Sequence, residues 1–119
     1  MAGARRRRLS RSAEFDRVYR EGRSHAGRHL VLYSFPREGD DEPPRLGLSV
    51  GRKVGGAVER NKVKRLLKEA FWQSEERLPA GHDFVVVARA DAGDLAERAG
   101  LAGIKSELDE LLEKAGPKQ

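Results

Sequence analysis

A chain of 119 residues and 13.2 kDa has room for one small domain, which excludes a pair of catalytic domains. With 38% apolar and 36% charged residues and a mean hydropathy of -0.69, it builds a modest core under an ionic surface, and no apolar run approaches the roughly 18 residues of a membrane span. A net charge of +5 points to a polyanionic partner, while the lack of cysteine excludes disulfides, thiolate metal sites and a Cys nucleophile.

The start, MAGARRRRLS, has no apolar partner for Arg5 to Arg8 and no apolar stretch of a secretory signal, so residues 1–10 read as a flexible basic arm on a cytoplasmic protein. A single α+β domain is expected over residues 11–115, with 116–119 as a tail. Ser12 is the expected N-cap of a first helix of about two turns, since Phe15, Val18 and Tyr19 share one face and Gly22 stops it. A weak strand near Arg23 to Ala26 precedes a clear one, LVLYSF, at Leu30 to Phe35. REGDDEPP reads as an exposed connection. Leu46, Leu48 and Val50 alternate with Gly47 and Ser49, which predicts a strand whose bare second face stays open to a nucleic-acid strand. That strand is expected to pair antiparallel with Leu30 to Phe35.

After the glycine-punctuated loop GRKVGG, the residues Val63, Leu66, Leu67, Ala70 and Phe71 mark a helix packed on a core. FVVVA, Phe84 to Ala88, reads as a central strand covered on both sides. A last helix follows from Leu101, Ile104, Leu108, Leu111 and Leu112, its start obscured by Gly100 and Gly103. The order α-β-β-β-α-β-α predicts an α+β, two-layer sandwich with a βαβ crossover.

The charge is concentrated: residues 45–68 carry eight Lys or Arg against Glu59 alone, whereas residues 69–119 are net acidic. With Val63 at 0° and 100° per residue, Arg60, Lys64, Lys68, Asn61 and Arg65 fall at about 60, 100, 140, 160 and 200°. A cationic stripe thus opposes the greasy one, and its like-charge pairs at i, i+4 cost a few tenths of a kcal/mol each. A polyanion offsets that cost; the alternative is a plain solvated face. Arg52 and Lys53 flank the N-terminus of this helix, where free N–H groups favour anions. No G-x-x-x-x-G-K-[ST] or G-x-G-x-x-G pattern is present.

Ser49-Val50, Arg52-Lys53, Gly55, Ala57-Val58, Arg60-Asn61-Lys62, Lys64-Arg65 and Glu69-Ala70-Phe71 resemble the signature of the protein subunit of bacterial ribonuclease P. Phe15, Val18-Tyr19, Gly22, Ser24, the strand Leu30 to Tyr33 and the segment Asp83 to Arg89 match the same family, so the resemblance spans about residues 9 to 114. Lys62, where the family usually has Arg, and Gly56, where a larger polar residue is common, depart from it. The resemblance implies a left-handed βαβ crossover, against the general right-handed rule. It implies a protein cofactor of a ribonucleoprotein endonuclease, a hydrolase that removes the 5′ leader of precursor tRNA. The RNA subunit would hold the active site and most of the Mg2+. By the same resemblance Arg60, Asn61, Lys62, Lys64 and Arg65 meet the RNA subunit, with Arg52, Lys53 and Lys68 as further RNA-binding residues. Phe15, Tyr19 and Tyr33 would form a cleft for the single-stranded leader, where aromatic faces stack on any unpaired base. The packing alternative is that Phe15 and Tyr19 are simply core.

No catalytic residue is expected in the protein itself. His25, His29 and His82 pair with no nucleophile motif, and His25 with His29 lacks a neighbouring carboxylate in the sequence. Asp40, Asp41 and Glu42 read as loop rather than metal ligands. Neither a membrane nor a small-molecule substrate is expected. The competing reading is a structural RNA-binding protein of ribosomal-protein type.

Overall fold

The computed structural model describes residues 7–9, 11–37, 39 and 41–115. The arm residues 1–6 and Ser10, Asp40 of the acidic run, and the tail 116–119 lie outside the described residues. The elements are β1 (Arg7–Arg8), α1 (Ser12–Glu21), β2 (Arg23–Ala26), β3 (Leu30–Pro36), β4 (Arg45–Val50), α2 (Ala57–Gln73), β5 (His82–Ala88) and α3 (Ala92–Ala115). From α1 onward this is the predicted order.

The strands form one sheet in the order β1-β4-β5-β3-β2. The expected antiparallel pairing of β3 with β4 does not occur. β5 lies between them, antiparallel to β3 with Tyr33 opposite Val85, and parallel to β4 with Gly47 opposite the same Val85. The reason is burial: Phe84, Val85 and Val86 are apolar on both faces, so β5 gains most from the central position.

Period-two alternation then assigns the faces. Leu30, Leu32, Leu46, Val50, Phe84 and Val86 pack against the apolar stripes of α2 and α3 in the larger cluster. On the opposite face Val85 packs with Val18 of α1 and Leu9, joined by Phe15, Tyr33, Phe35 and Val87. α1 therefore adds a partial third layer to the predicted two.

Three local expectations change. Residues 7–9 are not part of a free arm: Arg7 and Arg8 pair parallel with Arg45 and Leu46, the Leu9 N–H donates to the Leu46 carbonyl at 2.9 Å, and Leu9 is buried. One leucine within reach of the core is enough to tie the segment down. Arg11, not Ser12, is the N-cap of α1, and the Glu14 carboxylate accepts its N–H at 3.3 Å. The last helix starts nine residues before Leu101, burying Ala92, Leu95 and Ala96, and is broken at Gly100, whose φ of 60° and ψ of -150° lie in a region that favours glycine.

Candidate nucleic-acid interface

The loop before α2 is shaped by a 3-10 turn, Arg52–Val54, which buries Val54 and leaves Arg52 and Lys53 exposed. α2 then buries Val63, Leu66, Leu67, Ala70 and Phe71, so its remaining positions are forced outward. Asn61, Lys64, Arg65 and Lys68 are exposed, as the stripe arithmetic requires. Two members differ. Arg60 is half-buried, and its Nε is buried without a hydrogen-bond partner. Lys62 turns toward α3, its Nζ 3.5 Å from Oε1 of Glu97.

The aromatic residues meet on the other side of the sheet. Phe15 and Tyr19, one helical turn apart, have ring centroids 6.2 Å apart, and Tyr19 meets Tyr33 edge-on at 4.9 Å. Phe15 and Tyr33 are half-buried and Tyr19 is 37% exposed, so the trio packs and presents ring surface at once. α1 is held there by Val18 on the sheet and by polar contacts at its start. Glu14 Oε2 lies 3.2 Å from Nη1 of Arg45, whose Nε and Nη2 donate to the buried carboxylate of Asp83 at 2.8 and 2.9 Å. Arg37 donates to the same carboxylate from the other side.

Gly47 is not open to a nucleic-acid strand as expected, because Phe15 and Leu9 fill the space over it. The open part of this face begins further along, at Ser49 and Val87. There a groove of about 890 Å3 is lined by Ser49, Gly51 and Val87 and by four cations, Arg28, Arg52, Lys53 and Arg89, with Asp91 as its carboxylate. Arg28 and Arg89 carry no signal in the sequence, since only strand register brings them together. Leu30 pairs with Ala88, and the Arg89 N–H donates to the His29 carbonyl at 2.8 Å.

His29 does have a carboxylate neighbour, 78 residues away. Glu107 of α3 lies 2.7 Å from its Nδ1 and accepts the His29 and Leu30 N–H groups at 2.7 and 2.9 Å. This clamps the β2–β3 turn to α3. Nδ1 of His82 is 3.1 Å from the Ala80 carbonyl, and Nε2 of His25 is buried without a partner. Among the described residues no three His, Cys, Asp or Glu converge as metal ligands, and none of the helices is long and apolar enough to cross a membrane.

Known proteins share this fold. The family model for Ribonuclease P matches residues 4–116. The ribonuclease P protein component of Shouchella clausii is 43% identical over 108 residues, covering 91% of this chain and 84% of the relative. That of Halalkalibacterium halodurans is 47% identical over 88 residues, 74% of this chain and 73% of the relative. Among solved structures, the Staphylococcus aureus RNase P protein superposes with a TM-score of 0.80 at 36% identity, covering 91% of this chain and 94% of its own. The Thermotoga maritima RNase P protein gives 0.81 at 31% identity, covering 94% and 100%.

Proposed function

The chain belongs to the ribonuclease P protein family, as the protein subunit of an endoribonuclease of tRNA processing, and from that membership we propose how its surfaces divide the work. The exposed face of α2, with Asn61, Lys64, Arg65 and Lys68 at its centre and Arg60 and Lys62 at its borders, docks on the RNA subunit. Phe15, Tyr19 and Tyr33, with the groove of Arg28, Arg52, Lys53 and Arg89, take the single-stranded 5′ leader of precursor tRNA.

The observation that carries this division is that the two surfaces lie on opposite faces of the sheet: α2 covers the face of Leu32 and Val86, the aromatic trio that of Val85. One protein can then hold both RNAs at once. Ring faces stack on any unpaired base and cations neutralise phosphates without reading sequence, which suits leaders that vary from one tRNA to the next. Hydrolysis of the phosphodiester belongs to the RNA subunit in the cytoplasm, and the polypeptide supplies position rather than a reacting group. In this reading the Mg2+ of the reaction is held by RNA phosphates.

Mixing the protein with precursor tRNA, with and without the RNA subunit, at low Mg2+ tests the reading. Leader removal stimulated only in the three-component mixture is the expected result. Cleavage by the protein alone, or binding without stimulation as for a ribosomal-type protein, overturns it.

A further inference from the structure

The edge of the sheet beside β4 is made by a strand of arginines. Arg7 and Arg8 of β1 pair parallel with Arg45 and Leu46, and Leu9, next in line, is buried. Leu9 lies on the α1 face of the sheet, since its β-carbon is among the atoms that a β-carbon on Gly47 would meet. Alternation along a strand then sends Arg8 to the opposite face. Its ladder partner agrees, because Leu46 packs in the cluster formed with α2 and α3. Arg8 is exposed there and makes no hydrogen bond or ion pair with a described residue.

α2 lies over β4 and beside α3. Counted from Val63 at 100° per residue, Lys62 falls at about 260° around its axis, and Lys64 and Lys68 at about 100 and 140°. The two flanks of the helix therefore differ. On the α3 flank Lys62 Nζ is 3.5 Å from Glu97 Oε1, so its charge is matched within the protein. On the other flank, which overlooks β4 and the edge strand β1, Lys64 and Lys68 are exposed with no ion pair among the described residues. Unmatched positive charge thus runs from the helix onto the sheet edge.

Charge on an edge strand also deters pairing between copies, but carboxylates would serve that end equally and would relieve the basic helix. Here the sequence places arginine at every position from 5 to 8 instead. A guanidinium held by a ladder next to a cationic helix matches the backbone of a folded RNA, whose phosphates recur at regular spacing and accept from Arg in bidentate fashion. The leader is excluded as its partner, because the leader surface lies on the α1 face.

We propose that Arg8 of β1 contacts a backbone phosphate of the RNA subunit, so that the sheet edge extends the α2 docking surface on the side away from α3. The proposal rests on the docking of α2 on that RNA. A phosphate contact fixes the seating of the protein without reading sequence.

Binding of the full-length protein to the RNA subunit is measured over a range of salt for wild type, Arg8→Ala and Arg20→Ala. Arg20 is an exposed arginine of α1 paired with Glu21, so its removal changes the net charge equally but on the other face. Loss of one phosphate contact in Arg8→Ala should reduce the slope of log K against log salt by about 0.9, and weaken binding roughly fivefold near physiological salt. Its melting temperature should not change. Arg20→Ala should keep the wild-type slope. Should Arg8→Ala melt lower than wild type, Arg8→Gln, which keeps a long polar stem without the charge, is the deciding variant. An unchanged slope on loss of the Arg8 charge, or an equal drop in Arg20→Ala, overturns the proposal while leaving α2 docking intact. Absence of any complex between wild type and the RNA subunit instead overturns the docking reading, and the edge contact with it.

Discussion

Phe15 of α1 sits directly over Gly47 of β4. A β-carbon at position 47 would come within 2.7 Å of Phe15 Cζ and 3.1 Å of the Leu9 β-carbon, so the glycine is what lets the first helix approach the sheet. The aromatic trio owes its place to this missing side chain.

Gly47→Ala therefore pushes α1 outward. Overpacking of this kind costs about 1–3 kcal/mol, to be read from denaturant unfolding. Displacement of the Phe15 ring should weaken binding of a leader oligonucleotide by roughly tenfold, the scale of one lost stacking contact. Affinity for the RNA subunit should not change. Equal loss at both surfaces would show that the mutation acts through global unfolding.

Asp83 is 2% exposed and joins Arg37 and Arg45, the latter also reaching Glu14. Asp83→Asn leaves two guanidinium groups without their buried counter-charge, and a loss of about 3–5 kcal/mol is expected. Chemical denaturation measures it; a change below 1 kcal/mol would mean that solvent reaches the network.

Glu107→Gln removes the anionic acceptor of the His29 and Leu30 N–H groups. The expected cost is about 1–3 kcal/mol. Hydrogen exchange should quicken first at these two amides. Exchange that quickens uniformly along β3 would show instead that Glu107 holds the whole strand.

The groove cations predict a salt dependence. If Arg28, Arg52, Lys53 and Arg89 each neutralise one phosphate of a single-stranded leader, log K falls against log salt with a slope of about -2.8. Arg89→Ala should reduce the steepness by about 0.7 with no change in melting temperature, since this side chain is exposed. An unchanged slope removes Arg89 from the phosphate path.

Where the signal is local, the sequence is readable. The stripe of α2 shows in its period, and so does the outward position of Lys64, Arg65 and Lys68, because one helix sets both. The spacing of Phe15 and Tyr19 shows one face of α1, yet Tyr33 joins them only through the sheet, and family resemblance rather than pattern brings it into the trio. Nothing local announces that Glu107 will clamp His29, that Arg89 will sit near Arg28, or that Leu9 will be drawn under α1. These depend on register between segments tens of residues apart. Arg60 and Lys62 show the limit of helix arithmetic: the angle places them at the border, yet Arg60 is half-buried and Lys62 turns toward Glu97 of α3.

The late arrival of β5 has a consequence for biogenesis. A β2–β3 hairpin waits on one flank and the β1–β4 pair on the other, and neither has a neighbour until residues 82–88 are synthesised. The keystone is laid near the end, so a nascent chain stopped before His82 holds two unjoined half-sheets with exposed edges, and assembly is dominated by long loop closures. Quality control would meet such a fragment as an aggregation hazard rather than a smaller version of the protein.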